Sequence, residues 1–547
     1  MFTTLRLVLS PRLALRGAGP ALASVVAILT AGFGGGPADR ALAEAEDAAR
    51  AAEDAQAAQA ADDGRFVLHA LTIDGVSAYP LGDLAPLYAN ELAREISVAD
   101  LAGVAQALTD HYRRDGYFLA RASTPRQTSG EGHARLVVYE GYVGEVAFDG
   151  DAVPAVGALL ADIVDIRPLK LADLDRRLAL ANDLPGVKVT ARLEPDFDDP
   201  ARHRLVVTTK LRRLEGQVYA DNRGGQQSGP WQVYARGAVN SALRSGDQAA
   251  LGVLTTPGGA PRFTQVDIAY GLPLPGGGQL RGSMAASKSD GAGEGLAATL
   301  GNESQSASLR VSLPMVRRQD RSLWFVAQGD ARRVEQNWTN ASLRDELAVA
   351  RIALQGERRG DGSSSTAYAQ ISRGFGGLGG EVGDGRSRFD ASGRFWKLYA
   401  YGSHYRDLGT KAGLFLAAAG QWSPDPLLAS EEFSAGGLPV GRAYDYAEIM
   451  GDRGVSAQAE LRVGWDPQLR PLTFFQTYGF LDGARVWNYN AAPGWESVDL
   501  ASAGAGVRLV FKDRLSLRFE LAKPLGSIPF GRSDKGLRGF MSLSSSF

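Results

Sequence analysis

The pattern of apolar and polar positions divides the chain near residue 212. Before this point, apolar residues recur at helical spacing in two segments, 101–112 and 171–181. After it, apolar and polar residues alternate with a period of two in short runs, such as residues 307–313, 455–463 and 515–521. The pattern predicts mixed helices and strands before residue 212, and strands with turns after it.

The first part contains one order of elements twice. A strand-like run ends at Asp74-Gly75, and a helix follows with the capping-box sequence Ser97-x-x-Asp100, then two further strands. A second strand ends at Asp149-Gly150, and a helical stripe and the strand-like segments 187–193 and 205–211 follow it. This internal duplication predicts two tandem α+β domains, at residues 65–140 and 141–212.

The alternating part, residues 213–547, fits either a soluble sandwich or propeller or a membrane barrel. An export signal, strand ends rich in aromatic residues and the lack of a propeller-length repeat favour the barrel. Because lipid excludes open strand edges, such a sheet must close on itself. About 21 residues for each strand and turn give sixteen strands. The predicted fold class is therefore α+β domains followed by a transmembrane antiparallel β-barrel of sixteen strands.

The N-terminus has the features of a signal peptide. Arg6, Arg12 and Arg16 precede an apolar run at residues 21–33 that is too short to span a bilayer, and an A-x-A sequence ends at Ala43. We assign residues 1–43 to this signal peptide. Residues 44–64 are rich in alanine and charge, and form a helix or linker. Both a solvated leader and a mobile helix that occupies a polar space fit this segment.

Composition argues against several functional classes. The chain has no cysteine, and 59 basic against 61 acidic residues give a net charge of −2, which predicts no nucleic-acid partner. The five histidines show no metal-binding spacing, and the glycine motif at 374–379 has no surrounding βαβ unit. Ser403 and His404 are adjacent in a predicted strand, so they point to opposite faces. We predict no enzymatic activity, no metal and no cofactor.

Three segments resemble a known family, the outer-membrane transporters of two-partner secretion, of the hemolysin-activation and filamentous-hemagglutinin type. They are the loop sequence at 436–454, the strand sequence Phe480-Leu-Asp482-Gly-Ala-Arg-Val-Trp487, and an alternating last strand that ends at Phe547. The two α+β units are similar to the family's POTRA domains. At position 443 this chain has alanine, where the family's loop motif commonly has glycine.

The resemblance implies a role for particular residues. The loop would fold back into the barrel and be locked by an ion pair between Arg442 and Asp482. The segment 187–193 would offer a strand edge to the secreted partner, and Phe547 would be the signal that the barrel-assembly machinery recognises. The other loop-motif residues are Gly441, Tyr444, Asp445, Gly451, Asp452 and Gly454, and the residues of the edge are Val187, Lys188, Val189, Thr190 and Arg192. An ordinary internal strand remains the alternative for the edge.

The predicted function is secretion of a partner exoprotein to the cell surface without nucleotide hydrolysis. The N-terminal domains would lie in the periplasm and the barrel in the lipid of the outer membrane. The alternative from the same superfamily is a factor that assembles or inserts outer-membrane proteins. A passive porin or receptor is a third reading, but it leaves the duplicated domains unexplained.

Overall fold

The computed structural model describes residues 5–8, 65–127, 132–225, 229–258, 262–290, 299–338, 342–376, 385–465, 467, 469–530 and 532–547. The signal peptide expected at residues 1–43, apart from residues 5–8, and the segment 44–64 lie outside these described residues. The chain forms two compact units that separate between Leu211 and Arg212. In the described part, none of the helices has the length and apolar character needed to cross a bilayer.

The first unit contains two small α+β domains, preceded by a short strand β1 (Leu5–Val8). The elements of the first domain are β2 (Phe66–Val67), β3 (Ala70–Asp74), α1 (Leu81–Leu84), 3-10 turns at Ala85–Leu87 and Ala89–Glu91, β4 (Glu95–Ile96), α2 (Val98–Arg114), β5 (Arg121–Ser123) and β6 (His133–Tyr139). Those of the second are β7 (Tyr142–Gly150), α3 (Pro154–Leu160), a 3-10 turn at Ala161–Asp165, α4 (Leu171–Asn182), β8 (Val187–Pro195) and β9 (Arg202–Leu211).

Helix α2 begins where the sequence predicts its cap. The Ser97 hydroxyl accepts a hydrogen bond from the Asp100 amide at 3.2 Å, and the Asp100 carboxylate accepts one from the Ser97 amide at 2.8 Å. This reciprocal pair satisfies two donors that a helix N-terminus leaves open. The stripe of Leu101, Leu108 and Tyr112 is buried against the sheet, so the predicted capping box and helix are confirmed.

Both domains have the same sheet topology. In the first, β3 pairs parallel with β6, and β5 pairs antiparallel with β6; in the second, β7 and β8 pair with β9 in the same two ways. Gly75 and Gly150 end the equivalent strands with positive φ values of 80° and 83°. A Cβ on either glycine would approach a carbonyl oxygen of the neighbouring strand to 2.2–2.3 Å. Glycine is therefore required at both ends of the repeat.

The second unit is a closed antiparallel barrel. Its sixteen strands, in hydrogen-bonding order, are β10 (Leu214–Asp221), β11 (Gln232–Asn240), β12 (Gln248–Thr255), β13 (Phe263–Pro273), β14 (Gln279–Asp290), β15 (Thr299–Arg317), β16 (Arg321–Trp338), β17 (Ser342–Gly360), β18 (Ser363–Phe375), β19 (Arg394–Asp407), β20 (Ala412–Trp422), β23 (Arg453–Trp465), β24 (Leu472–Trp487), β25 (Ser497–Phe511), β26 (Leu515–Pro524) and β27 (Arg538–Ser546). Strand β27 pairs with β10 and closes the sheet. The predicted sixteen-stranded barrel is confirmed.

The longest connection of the barrel is the segment 423–452, between β20 and β23, which we call the inner loop. It contains a 3-10 turn (Ala429–Glu431), β21 (Phe433–Ala435) and β22 (Ile449–Gly451), and the last two pair with each other. Nearly all of its residues are buried or half-buried, with Pro424, Ser434 and Tyr446 exposed, although it connects two strands at one end of the barrel. The barrel around it supplies the surface that buries them.

Candidate functional site

The centre of the inner loop is a tight turn built on glycine. Gly436, Gly437 and Gly441 have positive φ values of 126°, 76° and 85°. The amides of Gly436 and Gly437 donate to the carbonyls of Val440 and Gly441 at 3.0 and 2.9 Å. A Cβ on Gly436 would lie 2.3 Å from the Asp445 carbonyl oxygen. The glycines thus allow the backbone to fold on itself and present the residue that follows, Arg442.

Arg442 is buried among carboxylates of the barrel wall. One terminal nitrogen of its guanidinium lies 2.9 Å from the Glu460 carboxylate, and the other donates to the Gln458 amide oxygen at 2.6 Å. Its Nε is 3.5 Å from the Asp482 carboxylate, and Glu520 is 3.4 Å away. The guanidinium also lies over the Phe480 ring, 4.1 Å from its centroid. One loop arginine therefore contacts residues of β23, β24 and β26.

The ion pair expected between Arg442 and Asp482 is not the closest contact of either residue. One Asp482 oxygen accepts hydrogen bonds from the Gly441 amide at 2.7 Å and the Ser502 hydroxyl at 2.5 Å. The ion pair with Arg442 has a single close approach, and the shortest contact of the guanidinium with a carboxylate is to Glu460. Asp482 thus holds the backbone of the turn as well as its side chain.

Further charges complete this group, which we call the lock cluster: Arg223, Arg442, Glu460, Arg462, Asp482, Arg508 and Glu520. Arg462 and Arg508 contact Glu460 at 2.6 and 2.7 Å, and Arg223 contacts Glu520 at 2.5 Å. The Arg223 side chain also donates to the carbonyl of Arg442 at 3.2 Å. Each carboxylate thus faces at least one guanidinium, as buried charges require.

The residues after the arginine anchor the turn to the barrel. Ala443 has no positive φ, so the alanine at the family's glycine position fits without backbone strain. The buried Tyr444 hydroxyl donates to the carbonyls of Ala501 and Ser527 at 3.2 and 3.0 Å. Asp445 forms an ion pair with Arg538 at 2.6 Å. Position 444 therefore joins the loop to the segments around β25 and β26.

The end of the inner loop is organised around Asp452. Its carboxylate accepts from the amides of Leu427 and Tyr489 at 2.6 and 2.8 Å and pairs with Arg388 at 2.7 Å. Arg388 also contacts Glu432 at 2.8 Å. This arrangement joins both ends of the inner loop to the connections before β19 and after β24.

The two remaining motif glycines allow close approaches. A Cβ on Gly451 would lie 2.9 Å from the Trp487 carbonyl oxygen, and one on Gly454 would lie 2.1 Å from the Phe433 ring. Both positions let the small sheet of β21 and β22 lie against the barrel wall.

Sequence reasoning missed Glu460, Glu520, Arg223 and Arg388. A signal for the first two was present, because Glu460 and Arg462, and Arg518 and Glu520, are charged residues two apart on the polar face of alternating strands. Arg223 and Arg388 lie in connections, where periodicity gives no direction to a side chain.

The segment 187–193 forms most of β8, whose apolar residues pack on the domain core, with Lys188, Thr190 and Arg192 half-buried. Strand β9 covers one edge of β8, and β1 pairs with the other, with Leu7 opposite Ala191 and Leu5 opposite Leu193.

Part of this second edge is closed by a side chain. The Val189 amide donates to the Asn182 side chain at 2.9 Å, and the Val189 carbonyl accepts from it at 3.2 Å. Within the predicted edge, the Val189 backbone is therefore not free to pair with another strand, since α4 brings Asn182 alongside it. Backbone groups of alternate residues point the same way, so Ala191 and Leu193 carry the outward backbone groups of this edge that lie opposite β1.

The C-terminal residue takes part in barrel closure. The Phe547 amide and carbonyl exchange hydrogen bonds with Gly216 at 3.0 and 2.9 Å. The Phe547 ring covers Gly216, where a Cβ would lie 2.2 Å from it.

The candidate catalytic and metal-binding residues are dispersed. Ser403 and His404 face opposite sides of β19, and the His404 ring lies 2.9 Å from the Ser365 hydroxyl. Across the described ranges, His, Asp and Glu form no group of three or more that could hold a metal ion.

Comparison with known proteins identifies the family. Residues 204–509, more than half of the chain, match the family described as haemolysin secretion/activation protein ShlB/FhaC/HecB. The chain belongs to this family. Residues 66–141 match the POTRA domain of the ShlB type. The resemblance stated from the sequence is therefore confirmed.

Individual relatives agree with this assignment. The heme/hemopexin transporter protein HuxB of Haemophilus influenzae is 23% identical over 461 residues, which cover 81% of this chain and 80% of HuxB. The structure of CdiB from Escherichia coli has a TM-score of 0.73 at 19% identity and covers 89% of this chain and 91% of CdiB. BamA from Haemophilus ducreyi lacking POTRA domains 1–3 has a TM-score of 0.50 at 14% identity, with 88% and 100% coverage. The last two likenesses concern the fold.

Family membership fixes the location and the general role of the chain. It is an outer-membrane β-barrel with periplasmic POTRA-type domains, and it transports a partner exoprotein in two-partner secretion. The prediction of a secretion transporter is confirmed over that of an assembly factor. The relatives HuxB and CdiB are named as transporters.

Proposed function

We propose that the partner exoprotein crosses the barrel after the inner loop leaves the lumen, and that the lock cluster sets the closed state. The observation that carries this proposal is Arg442, a loop residue buried among carboxylates of three wall strands. An arginine in this place cannot leave without separating from several partners, so the closed position is specific. A bound partner would supply the free energy that displaces the loop, without nucleotide hydrolysis or other enzymatic activity.

Substitution of the lock residues tests this role. Arg442→Ala and Asp482→Ala should leave a folded barrel in the outer membrane and reduce secretion. Arg442→Ala leaves the buried Asp482 carboxylate without its guanidinium, at ~3–5 kcal/mol. Asp482→Ala leaves Arg442 its contacts with Glu460 and Glu520 but removes the acceptor of the Gly441 amide, so we expect the smaller loss there. Arg333→Ala is the matched control, since Arg333 pairs with Glu335 at an exposed position. Secretion is measured as surface exoprotein relative to folded barrel. Normal secretion by both lock variants would refute the role of the lock cluster.

We further propose that the partner is captured as an extended strand on the edge of β8 that pairs with β1. The N-terminal segment of the transporter itself pairs with this edge as β1, which supports the fit of an extended chain at Ala191 and Leu193. Removal of the predicted signal peptide would vacate this edge for the partner. Backbone pairing tolerates many sequences, which suits an unfolded cargo.

Proline at this edge of β8 separates backbone pairing from side-chain effects. Ala191→Pro removes an outward amide but leaves the ladder with β9, and proline is tolerated at such edges. We expect it to weaken binding of the N-terminal segment of an exoprotein that depends on this chain, while circular dichroism stays unchanged. Lys188→Ala is the control that keeps the backbone intact. Full binding by a folded Ala191→Pro protein would exclude this edge.

The periplasmic position of the first domain gives a separate test of topology. A cysteine at Gln127 would be the only one in the chain. In intact cells, a membrane-impermeant thiol reagent should not label it, and it should become reactive once the outer membrane is permeabilised. Efficient labelling in intact cells would reverse the topology.

We also propose two partners outside the lumen. The barrel contacts outer-membrane lipid through its apolar outer face, and the last strand with Phe547 engages the assembly machinery during biogenesis. No nucleic acid takes part in this mechanism.

A further inference from the structure

A second buried ion cluster lies at the beginning of the inner loop, around Glu431. Both oxygens of this carboxylate accept from the Arg351 guanidinium, at 2.6 and 3.1 Å. The Lys397 ammonium contacts the carboxylate at 2.7 Å and the Glu431 carbonyl at 2.9 Å. The Gln421 side chain donates to the same carbonyl at 3.0 Å. One loop residue thus binds the wall through its side chain and its backbone.

The partners of Glu431 project into the barrel. Ile352 and Leu398, the chain neighbours of Arg351 and Lys397, are exposed apolar residues on the outer face. Because side chains alternate along a strand, Arg351 and Lys397 point to the lumen. The contact is a two-bond fork between arginine and carboxylate, which fixes orientation as well as distance.

The two wall cations that contact Glu431 differ in how far they depend on the loop for a counter-charge. Arg351 also pairs with Asp330 at 2.6 Å, so it keeps a partner when the loop leaves. Lys397 has no such reserve: in the part of the chain that the structure describes, Glu431 is the carboxylate it contacts. Loss of Glu431 would leave the Lys397 ammonium without a counter-charge at a buried site, which is costly.

The Glu431 cluster and the lock cluster use different parts of the wall. The first takes its partners from β16, β17, β19 and β20, and the second from β23, β24, β25 and β26. No strand contributes to both. The two loop residues are eleven positions apart in the sequence, so the segment between them is fixed at both ends.

We propose that Glu431 is a second, independent anchor of the inner loop, and that the loop leaves the lumen only when both anchors release. This inference rests on the proposed displacement of the loop during secretion. Release of one anchor exposes the wall beneath it, while the other anchor keeps its own part of the loop in place.

Two single-cysteine reporters distinguish the anchors, since the chain has no cysteine of its own. Ser372 donates no bond to the loop but lies beneath Glu431, 3.2 Å from an Arg351 nitrogen, and Ser502 lies beside Asp482. Both serines are buried. Each is changed to cysteine in the full chain, which is reconstituted in phospholipid vesicles and treated with a charged maleimide. The rate of labelling reports exposure and needs no exoprotein.

Glu431→Gln should raise the labelling rate at position 372 by roughly tenfold or more, given the size of buried-pair losses. It should change the rate at position 502 by less than about twofold. Arg442→Ala should show the reverse pattern. The matched control is Glu335→Gln, which changes a half-exposed carboxylate that pairs with Arg333. It should leave both rates unchanged.

If Glu431→Gln fails to form a heat-resistant folded barrel, Lys397→Met is used in its place. This substitution keeps the volume of the side chain and should raise the labelling rate at position 372 in the same way. An unchanged rate at position 372 in the folded variant would overturn the proposal. A parallel increase at both reporters would also overturn it, because the anchors would then open as one. The labelling experiment does not require secretion. If the lock variants secrete normally, the proposed role of the lock cluster in secretion fails, but the labelling rates still show whether Glu431 anchors the inner loop.

Discussion

Apolar and polar residues alternate along the strands of both the POTRA-type domains and the barrel, but the apolar side chains point inward in the domains and outward in the barrel. In β8 the apolar side chains of Val189 and Leu193 point into a domain core that is lined with leucine and valine. In β23 the apolar Leu461 is half exposed on the outer face, while Glu460 and Arg462 are buried inside. A period of two therefore fixes which residues share a face, and the surrounding solvent decides which face is inside.

The two interiors also differ in what holds them together. Leu174, Leu178 and Val189 are fully buried, and their stabilisation grows with the apolar area removed from water. Arg442 and Glu460 are nearly as buried but charged, so much of their attraction offsets the cost of desolvation. The apolar core thus stabilises the domain. The charged barrel interior instead fixes one position of the inner loop, and this position can change when the buried charges change their ion-pair partners.

The largest expected contrast comes from the same substitution in both regions. Leu178→Ala should destabilise the second POTRA-type domain by ~2–5 kcal/mol, because it leaves a cavity in a close-packed core. Leu354→Ala, on the outer face of β17, should cost clearly less, since lipid chains fill the space. Thermal unfolding of the full chain, followed by protease sensitivity of each region, measures both. Equal losses would contradict the inverted arrangement of the barrel.

A half-buried carboxylate in the first POTRA-type domain, Glu140, sharpens the comparison through pH. Burial raises the pKa of Glu140, but hydrogen bonds from Ser77, Tyr112 and the Ala78 amide outweigh it, so the pKa lies below its ordinary value. The Tyr112 hydroxyl donates at 2.6 Å and the Ala78 amide at 2.8 Å. These bonds favour the charged carboxylate.

The sign of the pH effect follows from a depressed folded-state pKa. The contribution of Glu140 to stability is fully present above the pKa of an unfolded glutamate, ~4.3, and is lost as the pH falls through the lower folded value. We expect acid unfolding of this domain below about pH 4.3 to become less steep in Glu140→Gln. Glu95→Gln, an exposed carboxylate in the same domain, is the control. An identical pH dependence in both variants would remove Glu140 from this account.

Much of the fold follows from the sequence alone because its signals are periodic. The capping box at Ser97, the two Asp-Gly strand ends and the alternating runs each predict a local structure that the described residues adopt. The strand number follows from length, since closure requires a regular spacing of strands and turns. Each of these features is determined by residues that are close together in the sequence, so a local pattern is enough to predict it.

The candidate site was predicted only in part, because its contacts depend on register. Arg442 and Asp482 were found through motifs, yet Glu460 makes the shorter contact with Arg442. That choice depends on how β23 and β24 are aligned, which no local pattern specifies. The closure of Val189 by Asn182 likewise requires knowing where α4 ends relative to β8.

The smallest expected effect concerns the helix cap of α2 in the first POTRA-type domain. Ser97→Ala removes the side-chain acceptor of the α2 cap, which should destabilise the first POTRA-type domain by ~1 kcal/mol. Ser123→Ala in β5 is the control, a serine outside the helix cap. Amide hydrogen exchange of the full chain should show faster exchange confined to the first turn of α2, with the barrel strands unaffected. Equal protection in the two variants would mean that packing of Leu101 and Leu108, and not the cap, sets the start of this helix.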